Sequence, residues 1–223
     1  MTTNLQLYYA PGACSFVPHT LLETAGAAYE PRMVKLHKRE NDEPPFRAVN
    51  PRGQVPVLVH GSEVITQIVA IVSYLDALFP EQNFLPREAL ARTRAMELLA
   101  WMNNTVHPTF THVFMPFKYS DDAGAQEQLR QFNAGQYRKL LEELQGIVIG
   151  TGAASGGWLG GPSFGPLDAY ALTLTRWGSM AGIDPEGLAA LWPYVQRVAS
   201  VPSVARVVER ERLKLNLYAP PLG

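Results

Sequence analysis

The sequence is short of cysteine, of charge and of long hydrophobic runs. Cys14 is the only cysteine among 223 residues, so no disulfide can form within the chain, and the first residues lack the basic and apolar regions of an export signal. We therefore expect a cytoplasmic protein. The longest apolar stretch, residues 68–79, is interrupted by Ser73 and Asp76 and is too short to cross a membrane. These absences exclude a disulfide-stapled secreted domain and predict no membrane partner.

Charge is scarce as well as balanced. Charged residues make up 17% of the chain, below the usual share of about 25%, and the formal net charge is −1. No overall positive field exists to hold a phosphate backbone, so we expect no nucleic-acid partner. Hydrophobic residues reach 47%, which excludes disorder driven by charge repulsion. The length predicts one large domain or two small ones.

The first eighty residues alternate strand and helix patterns. Pro11-Gly12 ends the first strand, and Pro31 within the second strand indicates an edge position. A polar loop is predicted over residues 37–45. The predicted strands are Leu5–Tyr9, Tyr29–Leu36, Val55–Val59 and Glu63–Thr66, and the predicted helices are residues 15–25 and Gln67–Phe79. The order β-α-β followed by β-β-α predicts a small mixed sheet with helices.

Beyond Pro80 the strand signals nearly vanish. Pro108 predicts a kink in the first helix of this part. We expect an α/β domain over residues 1–80 and an all-α domain over residues 87–223, packed closely together. Helical patterns cover residues 89–106 (continuing toward Phe114), 125–144, a helix opening at Pro166, 188–199 and 203–212, with a Gly/Ser-rich loop from Gly150 to Gly165.

Cys14-Ser15 lies between the first strand and the first helix. Backbone N–H groups and the helix dipole at this position are expected to lower the pKa of a thiol, and they equally favour a bound anion or the thiolate of another molecule. A lone cysteine is otherwise usually a small buried hydrophobic residue, and position alone leaves both interpretations open. Val17 stands where a Cys-x-x-Cys motif would need its second cysteine, which excludes dithiol chemistry within the chain.

The stretch Asn50–Val57 contains a turn at Pro51 and Gly53, followed by Pro56 at the start of a strand. A cis bond before Pro56 would present the backbone of Val55 to a ligand. Only about 5–6% of X–Pro bonds are cis. From the residues alone, an ordinary trans proline is therefore favoured.

Several motifs in order resemble the glutathione S-transferase family, and within it most closely the bacterial beta class. They are LYYAPGACS (residues 7–15) with Pro18-His19, NPRGQVPV (50–57), AIVSYL (70–75), and WLG with FGPLDAY (158–160 and 164–170). The resemblance covers nearly the whole chain. It implies a thioredoxin-like N-terminal domain, an all-helical C-terminal domain, a homodimer and a role in detoxification, with glutathione as co-substrate held mainly by the first domain.

The resemblance assigns four residues to the thiol site. Cys14 and Ser15 match the Cys-Ser pair of the beta class. Asn103 and His107 match an Asn and a His that face the thiol. Their i, i+4 spacing puts both side chains on one helix face, which that role requires.

The resemblance also assigns residues to the rest of glutathione. Val55 would pair with the glutathione backbone, with Gln54 beside it. Lys38 or Arg39 stands where the family has a basic residue facing the glycyl carboxylate, and the alignment of this loop leaves both open. Gln67, with the N–H of the residue after it, matches the site for the γ-glutamyl carboxylate.

Three residues depart from the family pattern. Ile68 replaces a serine, so only its N–H remains for the γ-glutamyl carboxylate. The lost hydrogen bond to a charged group costs about 1.5–3 kcal/mol, or about ten- to a hundredfold in affinity. Pro108 replaces a lysine after His107 and removes a cation near the thiolate. Gly165 replaces the usual Ser/Thr N-cap before Asp168, which affects stability more than chemistry.

Other residue patterns are less specific. No metal site is expected, because His107 and His112 are five residues apart and no His-Glu-x-x-His motif or Cys/His cluster is present. His19 is interpreted as structural. An apolar stretch near His107 fits either the core or the wall of an electrophile pocket, and it comprises Trp101, Phe110, Phe114, Met115 and Phe117.

Three functions remain open on this reasoning. The first is conjugation of the glutathione thiolate to small apolar electrophiles. The second is a glutathione-dependent thiol-disulfide transferase or peroxide reductase that acts through a mixed disulfide on Cys14. The third is a binding protein that kept the fold and lost catalysis, and the departures from the family pattern at Ile68 and Pro108 favour it.

Overall fold

The computed structural model describes residues 4–220 and begins with a four-stranded sheet. Its strands are β1 (Leu5–Tyr9), β2 (Tyr29–Met33), β3 (Val57–His60) and β4 (Glu63–Thr66), in the order β2-β1-β3-β4. Strand β1 runs parallel to β2 and antiparallel to β3, and β3 and β4 form an antiparallel hairpin. The predicted edge position of the second strand is confirmed, because proline lacks the N–H that an inner strand would need.

Helices cover both faces of this sheet. Alternate residues of β1, namely Leu5, Leu7 and Tyr9, are buried on the side of α1 (Phe16–Thr24) and α3 (Ile68–Leu78). The opposite face carries a smaller cluster around α2 (Pro44–Val49), where the ring of Phe46 packs edge-on against Tyr8 at 5.8 Å. Helix α2 lies where the sequence predicts only the end of a loop, since two prolines and one buried side chain give no helical period.

The rest of the described chain is helical. The helices are α4 (Ala89–Trp101), α5 (His107–Phe114), α6 (Ala123–Gly150), α7 (Pro166–Met180), α8 (Leu191–Ser200) and α9 (Pro202–Arg210). Helix α1 packs against α7 and α9, and one cluster of buried side chains runs from β1 into these helices. A thioredoxin-like first part followed by an all-helical part confirms the predicted fold class. The boundaries 1–80 and 87–223 stay predictions, and residues 1–3 and 221–223 lie outside the described chain.

A π-helical turn over Met102–Val106 joins α4 to α5. In this turn the N–H of His107 donates to the carbonyl oxygen of Met102, five residues earlier. Pro108 follows directly and has no N–H to donate, so a regular α-helix would leave one carbonyl without its partner. The sequence predicts a kink at Pro108, and the structure has a π-helical turn directly before it. Such turns are a known cause of irregularity in helices.

The start of α7 is fixed by a buried carboxylate. Asp168 Oδ2 accepts the N–H of Gly165 at 2.7 Å, and Oδ1 accepts the N–H of Leu159 at 2.9 Å and the hydroxyl of Tyr194. A Cβ at Gly165 would lie 2.9 Å from the Phe84 carbonyl oxygen. Glycine therefore replaces the usual Ser/Thr N-cap because a larger residue would collide with the backbone.

Among residues 4–220, no helix is both long enough and apolar enough to span a bilayer.

Replacing Asp168 by Ala is expected to lower the free energy of unfolding by about 3 kcal/mol or more, because three buried donors lose their acceptor. Urea denaturation measures the loss. Asp122→Ala is the matched control: Asp122 caps α6 through a single bond to the Ala125 N–H, and its loss costs about 1 kcal/mol. Equal losses in the two variants would contradict the central role of Asp168.

Candidate active site

Cys14 lies in the tight loop between β1 and α1, directly before Ser15, the N-cap residue of α1. Its side chain is 8% exposed, and Sγ donates a hydrogen bond to the carbonyl oxygen of Val55 at 3.6 Å. Burial raises the pKa of the Cys14 thiol to about 12, against the opposing effect of the N–H groups of Cys14 and Ser15. The predicted lowering of this pKa is wrong, because desolvation outweighs the helix N-terminus.

Ser15 is fully buried. Its hydroxyl accepts the N–H of Ala10 at 3.1 Å and donates to the Ala10 carbonyl oxygen at 3.2 Å. Both bonds close the loop between β1 and α1. The prediction that this hydroxyl faces a bound thiol does not fit the geometry, because the group is out of solvent and committed to the loop backbone.

The edge before β3 is formed by Gln54 and Val55. The bond between Val55 and Pro56 is cis, as the family resemblance implies and against the trans form that the residues alone favour. Gln54 is exposed, and its carbonyl oxygen accepts a hydrogen bond from the buried Asn50 side chain at 2.7 Å. The Val55 carbonyl oxygen accepts the hydrogen bond from the Cys14 thiol, so this edge and the loop before α1 are in direct contact.

Gln67 and Ile68 lie at the N-terminus of α3. The hairpin register pairs Val57 with Thr66, which brings Gln67 alongside the Val55 edge. Gln67 is exposed and has φ 72° and ψ 127°, a backbone conformation that costs a non-glycine residue about 1–3 kcal/mol and clusters at binding sites. The Ile68 side chain is buried in the core, so its first-turn N–H is what it can offer a ligand.

Lys38 and Arg39 lie in a loop of short turns after β2. Arg39 Nε donates to Asp42 at 3.0 Å, whereas Lys38 is exposed and takes part in no ion pair within residues 4–220. The Asn41 side chain donates to the Gly53 carbonyl oxygen at 3.1 Å. This bond ties the loop to the turn that precedes the Val55 edge.

Asn103 and His107 meet on the phenol of Tyr170. His107 Nδ1 lies 2.7 Å from the Tyr170 hydroxyl, which donates to Asn103 Oδ1 at 3.4 Å. Burial, and then the charge of Lys118, lower the pKa of His107 to about 4, so the imidazole is neutral at pH 7. Burial and the neighbouring Cys14 raise the pKa of Tyr170. These three side chains and Cys14 thus form one cluster.

Lys118 supplies a positive charge near His107, where the family pattern has a lysine and this chain has Pro108. Its charge reaches His107 from the turn Pro116–Lys118, after α5. A positive charge therefore acts on the cluster from a different position in the chain.

Tyr170 and Trp177 are functional candidates that the sequence analysis missed. The Trp177 ring lies edge-on to His107 at 4.8 Å and stacks on Phe110 at 4.7 Å, and Phe110 stacks on Phe114 at 5.5 Å. Both missed residues belong to α7, seven positions apart and so on one helix face. Tyr170 ends the FGPLDAY motif, but neither the motif nor the spacing shows that its hydroxyl meets His107, because the partners of both residues lie on α5 and the π turn.

The apolar stretch near His107 is divided by the structure. Phe110 is buried, while Phe114 and Phe117 are 52% and 60% exposed. Trp101 faces a separate groove of about 870 Å³ between α4 and α6, whose lining includes neither His107 nor Cys14. Phe110 and Phe114, not Trp101, are therefore the members of this stretch that extend from the cluster.

The remaining titratable candidates lie outside the cluster. His19 is fully buried and its Nδ1 lies 2.7 Å from Glu211, in keeping with a structural role. Within residues 4–220, no three or more His, Cys, Asp and Glu side chains are grouped so as to hold a metal ion.

The cluster as a whole is suited to an anionic sulfur from another molecule. It offers a protonated thiol that the N–H groups of Cys14 and Ser15 contact, and a neutral imidazole. The half-buried edge at Val55 and the exposed Gln67, at the N-terminus of α3, lie on the same side of the sheet hairpin.

Comparison with known proteins agrees with this geometry. Residues 3–77 match the family model described as glutathione S-transferase, N-terminal domain. Over 214 residues the chain is 31% identical to glutathione S-transferase GstA of Escherichia coli O157:H7, covering 94% of this chain and all of that protein.

Solved structures give the same result. The chain is similar to the bacterial beta-class glutathione S-transferase of Sphingomonas chungbukensis, with a TM-score of 0.80 and 29% identity over 94% of this chain and 100% of that one. A sphingomonad glutathione S-transferase complexed with glutathione gives a TM-score of 0.78 at 29% identity, with the same coverage. Similarity at this level over almost the full length shows that the chain belongs to the glutathione S-transferase family of transferases and that its resemblance to the bacterial beta class is real.

Proposed function

We propose that this protein conjugates the thiolate of glutathione to small apolar electrophiles. The observation that carries the proposal is the contact of the Cys14 thiol with the Val55 carbonyl, within electrostatic reach of Tyr170, the partner of His107. A peptide laid along the Val55 edge would bring its own sulfur to this point. That a sphingomonad relative was solved with glutathione supports glutathione as the peptide.

Glutathione would be held at three places. Its backbone pairs with the main chain of Val55, beside Gln54. Its γ-glutamyl carboxylate lies at the N-terminus of α3, where Gln67 is exposed and the helix dipole favours an anion. Its glycyl carboxylate is met by Lys38 rather than Arg39, since the Arg39 guanidinium is already paired with Asp42. Ile68 contributes only its N–H, which predicts weaker binding than a serine would give.

The thiol site lowers the pKa of the glutathione sulfur by hydrogen bonding. With its own pKa raised to about 12, Cys14 stays protonated, and its one S–H proton would turn from the Val55 carbonyl oxygen to the bound sulfur. The Tyr170 hydroxyl would donate to His107 Nδ1 in place of its longer bond to Asn103, so that neutral His107 carries its proton on Nε2 and can donate it. The sulfur loses its proton to water. The thiolate then forms a bond to the electrophilic carbon, and the electrons of the broken bond leave with the leaving group or move into the electrophile.

The electrophile would bind against aromatic rings next to this sulfur. The row His107, Trp177, Phe110 and Phe114 runs outward from the cluster, and it ends in the half-exposed ring of Phe114. Stacking on such a row favours flat apolar molecules over polar ones. Lys118, whose charge reaches His107, would stabilise negative charge that develops on the electrophile.

The mixed-disulfide chemistry is less well supported. Thiol-disulfide exchange needs the attacking sulfur as a thiolate. The Cys14 thiol is buried, and its pKa is far above neutral pH. We therefore propose that Cys14 acts as a hydrogen-bond donor and not as the nucleophile.

Three further expectations rest on the family resemblance. We propose a homodimer, a cytoplasmic location and a role in detoxification. Gel filtration combined with light scattering tests the first of these.

Glutathione is expected to bind the reduced protein with a Kd of a few millimolar or below, and Gln67→Ala should weaken it about ten- to a hundredfold, because a carboxylate loses its neighbouring hydrogen bonds. Calorimetric titration measures both. Gln131→Ala, an exposed glutamine on α6, is the matched control and should bind as the wild type does. Lys38→Ala should weaken binding more than Arg39→Ala. If about 10 mM glutathione produced no heat of binding and no thermal stabilisation, the proposed function would be rejected, and the chain would be a binding protein for some other ligand.

Cys14→Ala is expected to keep conjugation within about tenfold of the wild-type rate, because the variant loses one weak S–H donor and no nucleophile. The rate is measured with a chromogenic aromatic electrophile and glutathione. Disulfide-exchange activity, if the wild type has any, should vanish in the same variant. A complete loss of conjugation in folded Cys14→Ala would instead assign covalent chemistry to this residue.

His107 is expected to make the fold acid-sensitive. Its pKa is about 4 in the fold against an ordinary value of 6.5, so between these pH values the unfolded chain binds the additional proton. The contribution of neutral His107 to stability is therefore full above pH 6.5 and falls as the pH drops toward 4. Urea unfolding at about pH 7.5 and about pH 4.5 should show a smaller difference for His107→Asn than for the wild type. Identical differences would mean that folding does not lower the pKa of His107.

A further inference from the structure

The peptide unit of Gly12 is held from two sides by the helical part of the chain. Its N–H donates to Glu211 Oε2 at 2.8 Å, and its carbonyl oxygen accepts the indole N–H of Trp177 at 2.8 Å. Trp177 belongs to α7, and Glu211 directly follows the last residue of α9. Gly12 itself lies in the loop between β1 and α1, two residues before Cys14.

The loop leaves little freedom around these two bonds. Gly12 has φ 71°, a left-handed conformation that glycine adopts readily. A Cβ at this position would lie 2.6 Å from Nη1 of Arg176. On the far side, the Ser15 hydroxyl ties the loop to Ala10. Cys14 therefore sits in a short segment whose position is set by Ser15 at one end and by the helical part at the other.

Glu211 is fixed well enough to hold this loop. Its side chain is fully buried, as is that of His19, and the second carboxylate oxygen lies 2.7 Å from His19 Nδ1. His19 Nε2 in turn lies 3.3 Å from an Arg210 nitrogen. A buried carboxylate is costly unless hydrogen bonds compensate it, and here both oxygens have partners that come from the α/β part.

Trp177 connects the same loop to the other half of the site. While its N–H bonds to Gly12, the face and edge of its ring contact Phe110 and His107. One rigid indole thus spans from the Cys14 loop to the helix that carries His107. Any shift of the loop relative to that helix must break this hydrogen bond or move the ring.

We infer that Glu211 and Trp177 are positioning residues that place Cys14 opposite Val55 and His107 by holding the Gly12 peptide. Neither residue touches the reacting atoms. The inference rests on the proposed function only for its effect on glutathione turnover. The position of Cys14 can be measured without glutathione.

Cys14 is its own reporter, because it is the only thiol in the chain. In the folded protein it is buried, so alkylation by iodoacetamide requires the loop to open locally. Trp177→Phe removes the N–H donor and keeps an aromatic ring on Phe110. We expect the alkylation rate of this variant, measured by mass spectrometry at fixed pH, to rise about tenfold, since one lost hydrogen bond shifts an opening equilibrium by about that factor.

Two substitutions of Glu211 give an independent test. Glu211→Ala removes the acceptor of the Gly12 N–H and should also raise the rate about tenfold. Glu211→Gln keeps an oxygen acceptor for the Gly12 N–H, but its amide would face the N–H of His19 Nδ1, because Arg210 can only donate to His19 Nε2. Its alkylation rate should therefore fall between those of the wild type and Glu211→Ala. Asp122→Ala is the control for lost stability alone, because its cap on α6 makes no contact with the loop. It should leave the alkylation rate unchanged.

Glutathione kinetics separate positioning from folding. Trp177→Phe should raise the KM for glutathione about tenfold, with a smaller change in the electrophile KM, whereas Asp122→Ala should change neither. Rates of Cys14 alkylation within twofold of wild type in both folded Trp177→Phe and Glu211→Ala would overturn the inference. Faster alkylation in a protein that neither binds nor turns over glutathione would uphold it and reject the proposed function instead.

Discussion

The candidate site is organised around one constraint, the burial of the Cys14 side chain against the carbonyl oxygen of Val55. This contact brings the loop before α1 onto the edge before β3, and it keeps the thiol out of water and therefore protonated. A neutral cysteine can orient a second sulfur but is a poor nucleophile itself. The chemistry of the site thus depends on a sulfur that the ligand brings, and the surrounding groups are arranged to receive it.

The second half of the site comes from helices that are distant in sequence. Tyr170, whose pKa the neighbouring Cys14 raises, bonds to His107 through its hydroxyl, and the Trp177 ring packs against the same imidazole. Because the α/β part and the helices share one continuous core, these contacts have a defined geometry. The site is a product of the interface between the two parts of the chain, and neither part contains it alone.

The sequence correctly predicted the features that depend on interactions between residues close together in the chain. The β-rich run that ends at Pro11-Gly12 predicted β1 with its observed bounds, and Pro31 correctly predicted the edge strand. The i, i+4 spacing predicted that Asn103 and His107 share a helix face, and both side chains contact the Tyr170 hydroxyl. The failures depend on burial and on distant contacts. A helix N-terminus lowers the pKa of a thiol only when the thiol is exposed to solvent, and the sequence does not show that Cys14 is buried. The hydrogen bonds between the Ser15 hydroxyl and Ala10 likewise depend on the loop geometry, which the sequence does not reveal. Tyr170 ends the FGPLDAY motif, but that motif does not show that its hydroxyl meets His107.

Because of the π turn over Met102–Val106, the geometry of the site depends on how many residues this turn contains as well as on which residues they are. Each residue of an α-helix advances the direction of its side chain by about 100°. If one residue were deleted from this turn, the remaining residues could close as ordinary helix, and everything after it would rotate by about that angle. His107 would then leave Tyr170 and Trp177 without any change in its own neighbours in the sequence. The place of His107 in the site thus depends on the one additional residue that the π turn accommodates.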